Sequence, residues 1–243
     1  MKKIIVLLSL FLVLTGSPVY SGVFDQLMEG IRPALKGQEA GGPLSLETTI
    51  TGLKEALSVG AGNAVNLLSM NDGYLANEAV KILMPEKIQN VADMLKKVGY
   101  EQQVDSFVLS MNRAAEKAAP QAKSFFMDAI REMTFDDAKK VLNGGDKSAT
   151  EYLQSKTYDK IYEAFKPIVS SSLDDVGGTK AYKEMMASFT SLPFASAQSL
   201  DLNHYVTDNA LKGLFATVGE EEKKIRTDPS ARVTDLLQQV FGK

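Results

Sequence analysis

The stretch that decides the fold is MNRAAEKAAPQAKSFFMDAIREMTFDDAKKVLNGGDKSATEYL, residues 111–153. It holds two helix-type patterns separated by Pro120, a third that starts at Thr134 and stops at Gly144, and a fourth beyond it. Proline interrupts a helix because it lacks the amide hydrogen, whereas a threonine hydroxyl caps a first turn. Gly144 is expected to end the third helix in the left-handed conformation that glycine tolerates. The stretch therefore predicts short, closely connected helices.

The same helical spacing extends in both directions from this stretch. Before it, apolar residues recur at steps of three and four, which predicts one long amphipathic helix: Leu46, Ile50, Leu53, Leu57, Ala61, Ala64 and Leu68. No segment shows the convincing alternation of apolar and polar residues that is typical of a strand. We therefore expect an all-α fold, a single-domain bundle of roughly eight to ten helices over residues 45–243.

The N-terminus has the pattern of a secretory signal peptide. Lys2 and Lys3 precede an apolar run from Ile4 to Leu14, and small and polar residues follow up to Ser21. The run is too short to cross a bilayer, which takes about 20 residues. We expect export to the periplasm with cleavage near Ser21, so that residues 1–21 are absent from the mature protein.

Residues 22–44 are expected to form a flexible lead-in to the folded body. They contain Gly37, Gly41, Gly42 and Pro43, and they lack a strong apolar pattern. Ser45 is a plausible cap for the first helix of the domain.

Cysteine usage and charge exclude several classes of function. The chain has no cysteine, so it forms no disulfide, no thiolate metal site and no lipid-anchored cysteine. Without Lys2 and Lys3, the 27 Lys and Arg residues become 25 against 30 Asp and Glu, a net charge of about −5. This charge disfavours a nucleic-acid partner, because such binding needs clustered Lys and Arg. No transmembrane segment is expected in the mature chain.

The candidate binding residues are five polar groups that helix boundaries do not explain. They are Asn112, Arg113, Glu116, Asp128 and Arg131. The first three lie next to the apolar face of one helix, and Arg131 is expected to meet an acid across the helix pair. Such a group forms either a structural network that docks helices or the polar end of a binding pocket.

Two further polar clusters are expected to be structural. One comprises Thr134, Asp136 and Asp137, where a hydroxyl cap and two acids start a helix. The other comprises Arg226, Asp228 and Arg232, where Asp228 is expected to end a long helix and cap the final one. On the polar face of that long helix, Glu220 with Lys224 and Glu222 with Arg226 have the four-residue spacing of stabilising ion pairs.

No residue pattern predicts a cofactor or a metal. The single histidine, His204, follows Asp201 by three residues, and one histidine is too few for a di-iron bundle site. We therefore read Asp201 as a helix cap and His204 as a partly exposed residue. No G-x-S-x-G elbow and no phosphate-binding glycine loop is present.

Several segments together resemble one known family. They are Gly52–Leu57, Asn71–Tyr74, Met111–Glu116, Met133–Ala138, Gly144–Asp146 with Ala149–Tyr152, Tyr205–Thr207 with Ala210–Phe215, and Glu221–Arg226 with Asp228–Arg232. The combination resembles an uncharacterised bacterial family of exported helical proteins, domain of unknown function 4197, over about Leu46 to Gly242. The resemblance implies a helical, exported, single-domain protein, and it carries no activity. Some relatives resemble lipoproteins, whereas this chain lacks the cysteine.

These observations favour a non-catalytic, soluble periplasmic helical protein that binds either a partner, such as an envelope protein, or a small apolar ligand. The alternative is a hydrolase acting on the bacterial envelope, with carboxylates such as Glu116 and Asp137 as acid and base. The oligomeric state does not follow from the sequence.

Overall fold

The computed structural model describes residues 45–175, 177–190 and 200–241, and the regular elements within these ranges are all helical. The nine α-helices of the described ranges are α1 (Leu46–Ser69), α2 (Glu86–Lys97), α3 (Glu101–Ala118), α4 (Ala122–Arg131), α5 (Phe135–Asn143), α6 (Ser148–Asp175), α7 (Gly178–Thr190), α8 (Leu202–Thr227) and α9 (Asp235–Phe241). Two 3₁₀ turns follow α3 and α8, at Ala119–Gln121 and Pro229–Ala231. The prediction of an all-α single-domain bundle is confirmed.

Side-chain caps start the helices where the sequence places them. The hydroxyl of Ser45 accepts the N–H of Thr48 at 3.0 Å at the start of α1. Thr134 and Asp137 form a reciprocal capping box at the start of α5. The carboxylate of Asp201 caps α8. These caps satisfy amide groups that have no partner inside the helix.

The glycine that ends α5 differs from the expectation. Gly144 has φ −82°, so the predicted left-handed conformation is wrong. A side chain at Gly144 would instead place its Cβ 2.5 Å from the Cβ of Ser148. The Ser148 hydroxyl donates to the carbonyl of Val141 at 2.7 Å, across the turn. Gly144 is therefore needed for space between α5 and α6. Gly99, after α2, does take a positive φ of 96°.

The helices share one main hydrophobic core. The helix α8 packs against α6 and α1, while α3 packs against α6 and α7. The largest fully buried side chains include Tyr74, Phe107, Phe126, Phe165, Leu53, Leu68, Ile82, Met111 and Leu153. Burying one such apolar side chain contributes about 1.5–3 kcal/mol. A connection over residues 70–85, the α1–α2 loop, delivers Tyr74 and Ile82 to this core.

The chain after α8 also differs from the expectation in one detail. Asp228 ends α8 as expected, but its carboxylate accepts the N–H of Ser230 at 2.8 Å and so caps the 3₁₀ turn. The hydroxyl of Thr234 caps the final helix α9 by accepting the N–H of Leu237 at 3.2 Å. The final helix packs against α1.

The signal peptide of residues 1–21 and the lead-in of residues 22–44 lie outside the described residues. Among the helices of the described ranges, none combines the length and the apolar character needed to cross a bilayer.

Candidate functional site: a polar clamp beside an open groove

A buried carboxylate of α3 holds the first part of the α1–α2 loop. Oε1 of Glu116 accepts the backbone N–H groups of Tyr74 at 3.1 Å and Leu75 at 3.3 Å. Oε2 accepts from Nη1 of Arg113 at 2.6 Å, and Nη2 of Arg113 donates to Asp72 at 2.7 Å. Hydrogen bonding to Glu116 raises the pKa of Arg113. Loop and helix are therefore joined by charge-assisted bonds.

A buried amide on the same helix holds the second part of that loop. Oδ1 of Asn112 accepts the N–H of Ile82 at 2.9 Å, and Nδ2 donates to the carbonyl of Ile82 at 2.9 Å. Nδ2 also donates to the carbonyl of Val108 at 2.8 Å. Asn112 thus satisfies both polar groups of a buried backbone unit that has no helix of its own. We call Asn112, Arg113 and Glu116 the polar clamp.

The loop also fastens to α8 through one tyrosine. The Tyr74 hydroxyl donates to the carbonyl of Ala210 at 2.8 Å, and burial raises the pKa of this hydroxyl. Gly213 makes room for the ring, since a Cβ there would lie 2.8 Å from Cε1 of Tyr74. Gly73 faces the backbone oxygens of Leu67 and Leu68, where a Cβ has no space. The α1–α2 loop therefore lies between α3 and α8 and is bonded to both.

An open groove of about 1010 Å³ runs along this loop, α2 and α3. Its described lining residues are Leu75, Lys81, Leu83, Met84, Gln89, Ala92, Asp93, Lys96, Glu101, Gln102, Val104, Asp105, Ser106, Val108 and Leu109. Met84, Ala92 and Val104 are buried in its floor, whereas Leu83 is 60 % exposed and Leu109 is 40 % exposed. The groove therefore offers apolar surface to solvent.

The polar clamp positions one wall of this groove. Leu75, whose N–H is bound by Glu116, is itself a lining residue. Ile82, held on both sides by Asn112, lies between the lining residues Lys81 and Leu83. Asn112, Arg113 and Glu116, three of the five candidate residues predicted from the sequence, thus lie together. Asn112 and Glu116 position the groove wall through hydrogen bonds to the backbone of the loop.

Acidic residues outnumber basic ones along the groove. Asp93, Glu101 and Asp105 stand against Lys81 and Lys96 among its described lining residues. Lys96 donates to Asp105 at 3.0 Å, and this bond, together with the charges of Asp105, Glu101 and Asp93, raises the pKa of Lys96. The ammonium group of Lys96 therefore forms an ion pair with Asp105, while Glu101 and Asp93 act on it only through their charge.

The other two predicted site residues lie apart from the clamp. Arg131 pairs with Asp128 of its own helix at 2.8 Å, so the expectation that Arg131 meets an acid across the helix pair is wrong. Both side chains are about 60 % exposed, and an exposed pair of this kind contributes little to stability. Asp137 receives the hydroxyl of Thr134 at 2.7 Å, and Asp136 is exposed in the same first turn.

A second buried carboxylate, which the sequence showed only as half of a surface pair, joins α8 to α6. Glu222 accepts the N–H groups of Ala149 at 3.2 Å and Thr150 at 2.9 Å, together with the Thr150 hydroxyl at 2.7 Å. Arg226 donates to Glu222 through Nε at 3.0 Å and Nη2 at 2.8 Å. The four-residue spacing was visible in the sequence, but burial and the contact with α6 depend on tertiary packing.

The neighbouring charges of α8 also have local roles. Lys224 pairs with Glu221 at 2.6 Å, so the predicted pairing with Glu220 is wrong. Arg232 donates to the carbonyls of Ile225 and Arg226, both at 3.0 Å, and so caps the C-terminus of α8. The cavity beside Glu222 measures about 20 Å³, which is room for about one water molecule and no ligand.

His204 lies at the outer end of a row of aromatic side chains in contact with one another. Its Nδ1 is 2.7 Å from the hydroxyl of Tyr162, which stacks on Tyr158. Tyr158 in turn stacks on Phe215 and donates to Asp208 at 2.8 Å. Burial, and to a smaller extent the hydrogen bond to Asp208, raises the pKa of Tyr158 to about 12. Among the described residues, no group of three or more His, Asp or Glu side chains is placed to hold a metal ion.

The protein is an all-helical bundle with an open groove, one wall of which is held by the buried polar clamp. A family model described as "Protein of unknown function (DUF4197)" matches residues 43–242. The chain belongs to this family. No curated protein and no solved structure matches the chain.

Proposed function

We propose that this protein is an exported, non-catalytic binding protein that takes a partner into the groove between the α1–α2 loop, α2 and α3. The observation that carries the proposal is the groove itself, with Leu83 and Leu109 exposed on its edges. Exposed apolar side chains beside a concave surface are typical of interaction sites. The signal-peptide pattern of residues 1–21 supports a periplasmic location.

A partner molecule suits this groove better than a small apolar ligand. Ligand pockets enclose most of a small molecule and span about 300–1,000 Å³. This groove of about 1010 Å³ is open to solvent and not enclosed, so a small molecule in it would keep much of its surface exposed. Its lining also mixes apolar groups with five charged ones, which favours an amphipathic surface as its occupant.

No observation favours the envelope hydrolase. Glu116 already binds two backbone amides and a guanidinium. Asp137 is a helix cap. Neither residue is among the described lining residues of the groove.

The test is native mass spectrometry of the mature protein purified gently from its own periplasm, with one variant in the groove and one outside. Leu109→Gln alters the groove edge, and Leu67→Gln is the matched control, because Leu67 is 39 % exposed on α1 and is not among the groove's lining residues. We expect the wild type and Leu67→Gln to carry a bound species that Leu109→Gln loses. A bare wild-type protein, or equal retention by both variants, would overturn the proposal.

A further inference from the structure

We infer that the occupant of the groove is a cationic amphipathic helix of a partner protein. Its apolar face packs against the exposed side chains of Leu83 and Leu109, and its Lys or Arg side chains reach Asp93 and Glu101. This inference rests on the proposed function, since it specifies the chemistry of the partner that the groove binds.

The shape of the groove favours a helix. Two of its walls are helices, and α2 has 12 residues, which at the helical rise is about 18 Å. A partner strand needs an exposed sheet edge, and the described ranges contain no strand. A polyproline segment needs an aromatic-lined groove, and none of the described lining residues is aromatic. Leucine and methionine side chains lining a groove are typical of the helix-in-groove mode.

The charge of the groove favours a cationic partner. Asp93, Glu101 and Asp105 are exposed, and Asp105 is already paired with Lys96. The other two carboxylates have no ion-pair partner within the described part of the chain, although Asp93 accepts from Nε2 of Gln89 at 3.0 Å. Carboxylates on the rim of an apolar groove select for opposite charge and increase the rate of association.

A second copy of this chain is a poorer candidate for the occupant. Without Lys2 and Lys3 the chain carries a net charge of about −5, so two copies repel each other on average. A partner helix with an apolar face and a basic face offers both the apolar contact and the positive charge that the groove favours. An acidic or neutral partner offers only the apolar contact.

The test uses two synthetic amphipathic helices of about 18 residues with one shared leucine face. One peptide has lysine on its polar face, and the other has glutamate. Binding to the mature full-length protein is followed by fluorescence anisotropy of the labelled peptides. We expect the lysine peptide to bind at least about tenfold more tightly, and to weaken as salt rises from about 0.05 M to about 0.5 M.

Charge-removing variants link this selectivity to the groove. The double variant Asp93→Asn with Glu101→Gln should weaken the lysine peptide about tenfold. The matched control, Asp159→Asn with Glu163→Gln, removes two exposed acids from α6, outside the groove, and should leave the affinity unchanged. Leu109→Gln should weaken both peptides, and Leu67→Gln should weaken neither.

The outcomes separate this inference from the proposed function. If both peptides bind equally and Leu109→Gln weakens both, the charge preference is wrong and the groove remains a binding site. If neither peptide binds but the periplasmic protein carries a species that depends on Leu109, the helix is wrong, and the mass of that species shows whether the occupant is a lipid-like molecule or another polypeptide. Self-association that Leu109→Gln abolishes would identify a second copy and overturn the inference. If no groove-dependent binding appears in either experiment, both proposals fail.

Discussion

Two buried glutamates join distant parts of this chain by nearly the same chemistry. Glu116 accepts two successive backbone N–H groups of the α1–α2 loop and a guanidinium three residues before it on α3. Glu222 accepts two successive N–H groups in the first turn of α6 and a guanidinium four residues after it on α8. In each case one carboxylate satisfies backbone donors that lack a partner of their own.

The surroundings of the two glutamates differ. Glu222 lies beside a cavity of about 20 Å³, so its contacts serve the packing of α6 on α8 alone. Glu116 holds a loop that forms one wall of the open groove. A third buried glutamate, Glu55, has no hydrogen-bond partner for either oxygen in the described part of the chain, so burial by itself does not identify such a junction. Damage near Glu222 should therefore affect stability only, and damage to the clamp should also affect binding.

The largest effect is expected for Glu222→Ala. Removing the carboxylate leaves the N–H groups of Ala149 and Thr150 unpaired and Arg226, which is 22 % exposed, without its acid. Breaking a buried charge pair in this way costs about 3–5 kcal/mol. Urea unfolding should show this loss, while the folded variant keeps the wild-type affinity for the lysine peptide. A loss below about 1 kcal/mol, or a large loss of peptide affinity, would contradict the contrast between the two junctions.

The second largest effect is expected for Asn112→Leu. Leucine leaves the buried N–H and carbonyl of Ile82 without partners, which costs about 2–3 kcal/mol. Unlike the change at Glu222, this one should also speed amide hydrogen exchange in the α1–α2 loop and weaken groove binding.

The matched control for this prediction is Asn209→Leu on α8. Within the described ranges, the side chain of Asn209 makes one hydrogen bond, to the carbonyl of Tyr205 at 2.8 Å, and contacts no part of the groove through that bond. It should lower stability less and leave peptide affinity unchanged. If Asn112→Leu and Asn209→Leu weaken peptide binding equally, the polar clamp has no specific role in shaping the groove.

The fold followed from local signals that the sequence displays. Pro120, Thr134 and the apolar spacing of residues 46–68 predict helix boundaries, because caps and breaks depend on neighbouring residues. Gly144 shows the limit of such reasoning. The glycine does end α5, but its reason is the side chain of Ser148 in the next helix, which only the packed structure supplies.

The candidate site was predictable only in part, because its two halves are distant in sequence. Asn112, Arg113 and Glu116 stood out as polar residues that capping does not explain. Their partners in the α1–α2 loop are 30 to 42 residues away, and no local pattern pairs them. The groove has no sequence signature, because the helical residues of its floor, Ala92 and Val104, have the spacing of ordinary core residues.

Two glycines of α8 are expected to have smaller effects on stability, of opposite sign, when each is replaced by alanine. Gly213 faces Tyr74, where a Cβ would lie 2.8 Å from the ring, whereas at Gly219 the nearest atom, Oγ1 of Thr150, is 3.7 Å away. Gly213→Ala should cost about 1–3 kcal/mol, because the well-packed ring must move. Gly219→Ala should stabilise by up to about 1 kcal/mol, because alanine favours helix. Thermal unfolding of both variants measures these effects. If both substitutions raise the melting temperature, the packing of α8 against the loop tolerates the added methyl group, and the prediction for Gly213 is wrong.

The smallest effect is expected at Asp137, a half-buried carboxylate that, like the two buried glutamates, accepts a backbone N–H group. Hydrogen bonds from the hydroxyl and the backbone N–H of Thr134 hold the pKa of Asp137 below its ordinary value of 3.8. A carboxylate whose pKa is lowered by folding stabilises the protein above its unfolded pKa, and this contribution is lost as pH falls through the folded value. Asp137→Asn should therefore lower the melting temperature slightly at pH 7, and the difference from wild type should disappear as pH falls below about 3.8. Asp136→Asn, an exposed acid in the same turn without the capping bond, is the control and should show a weaker pH dependence. If the difference at Asp137 persists unchanged in acid, its stabilising role comes from the shape of the cap and not from its charge.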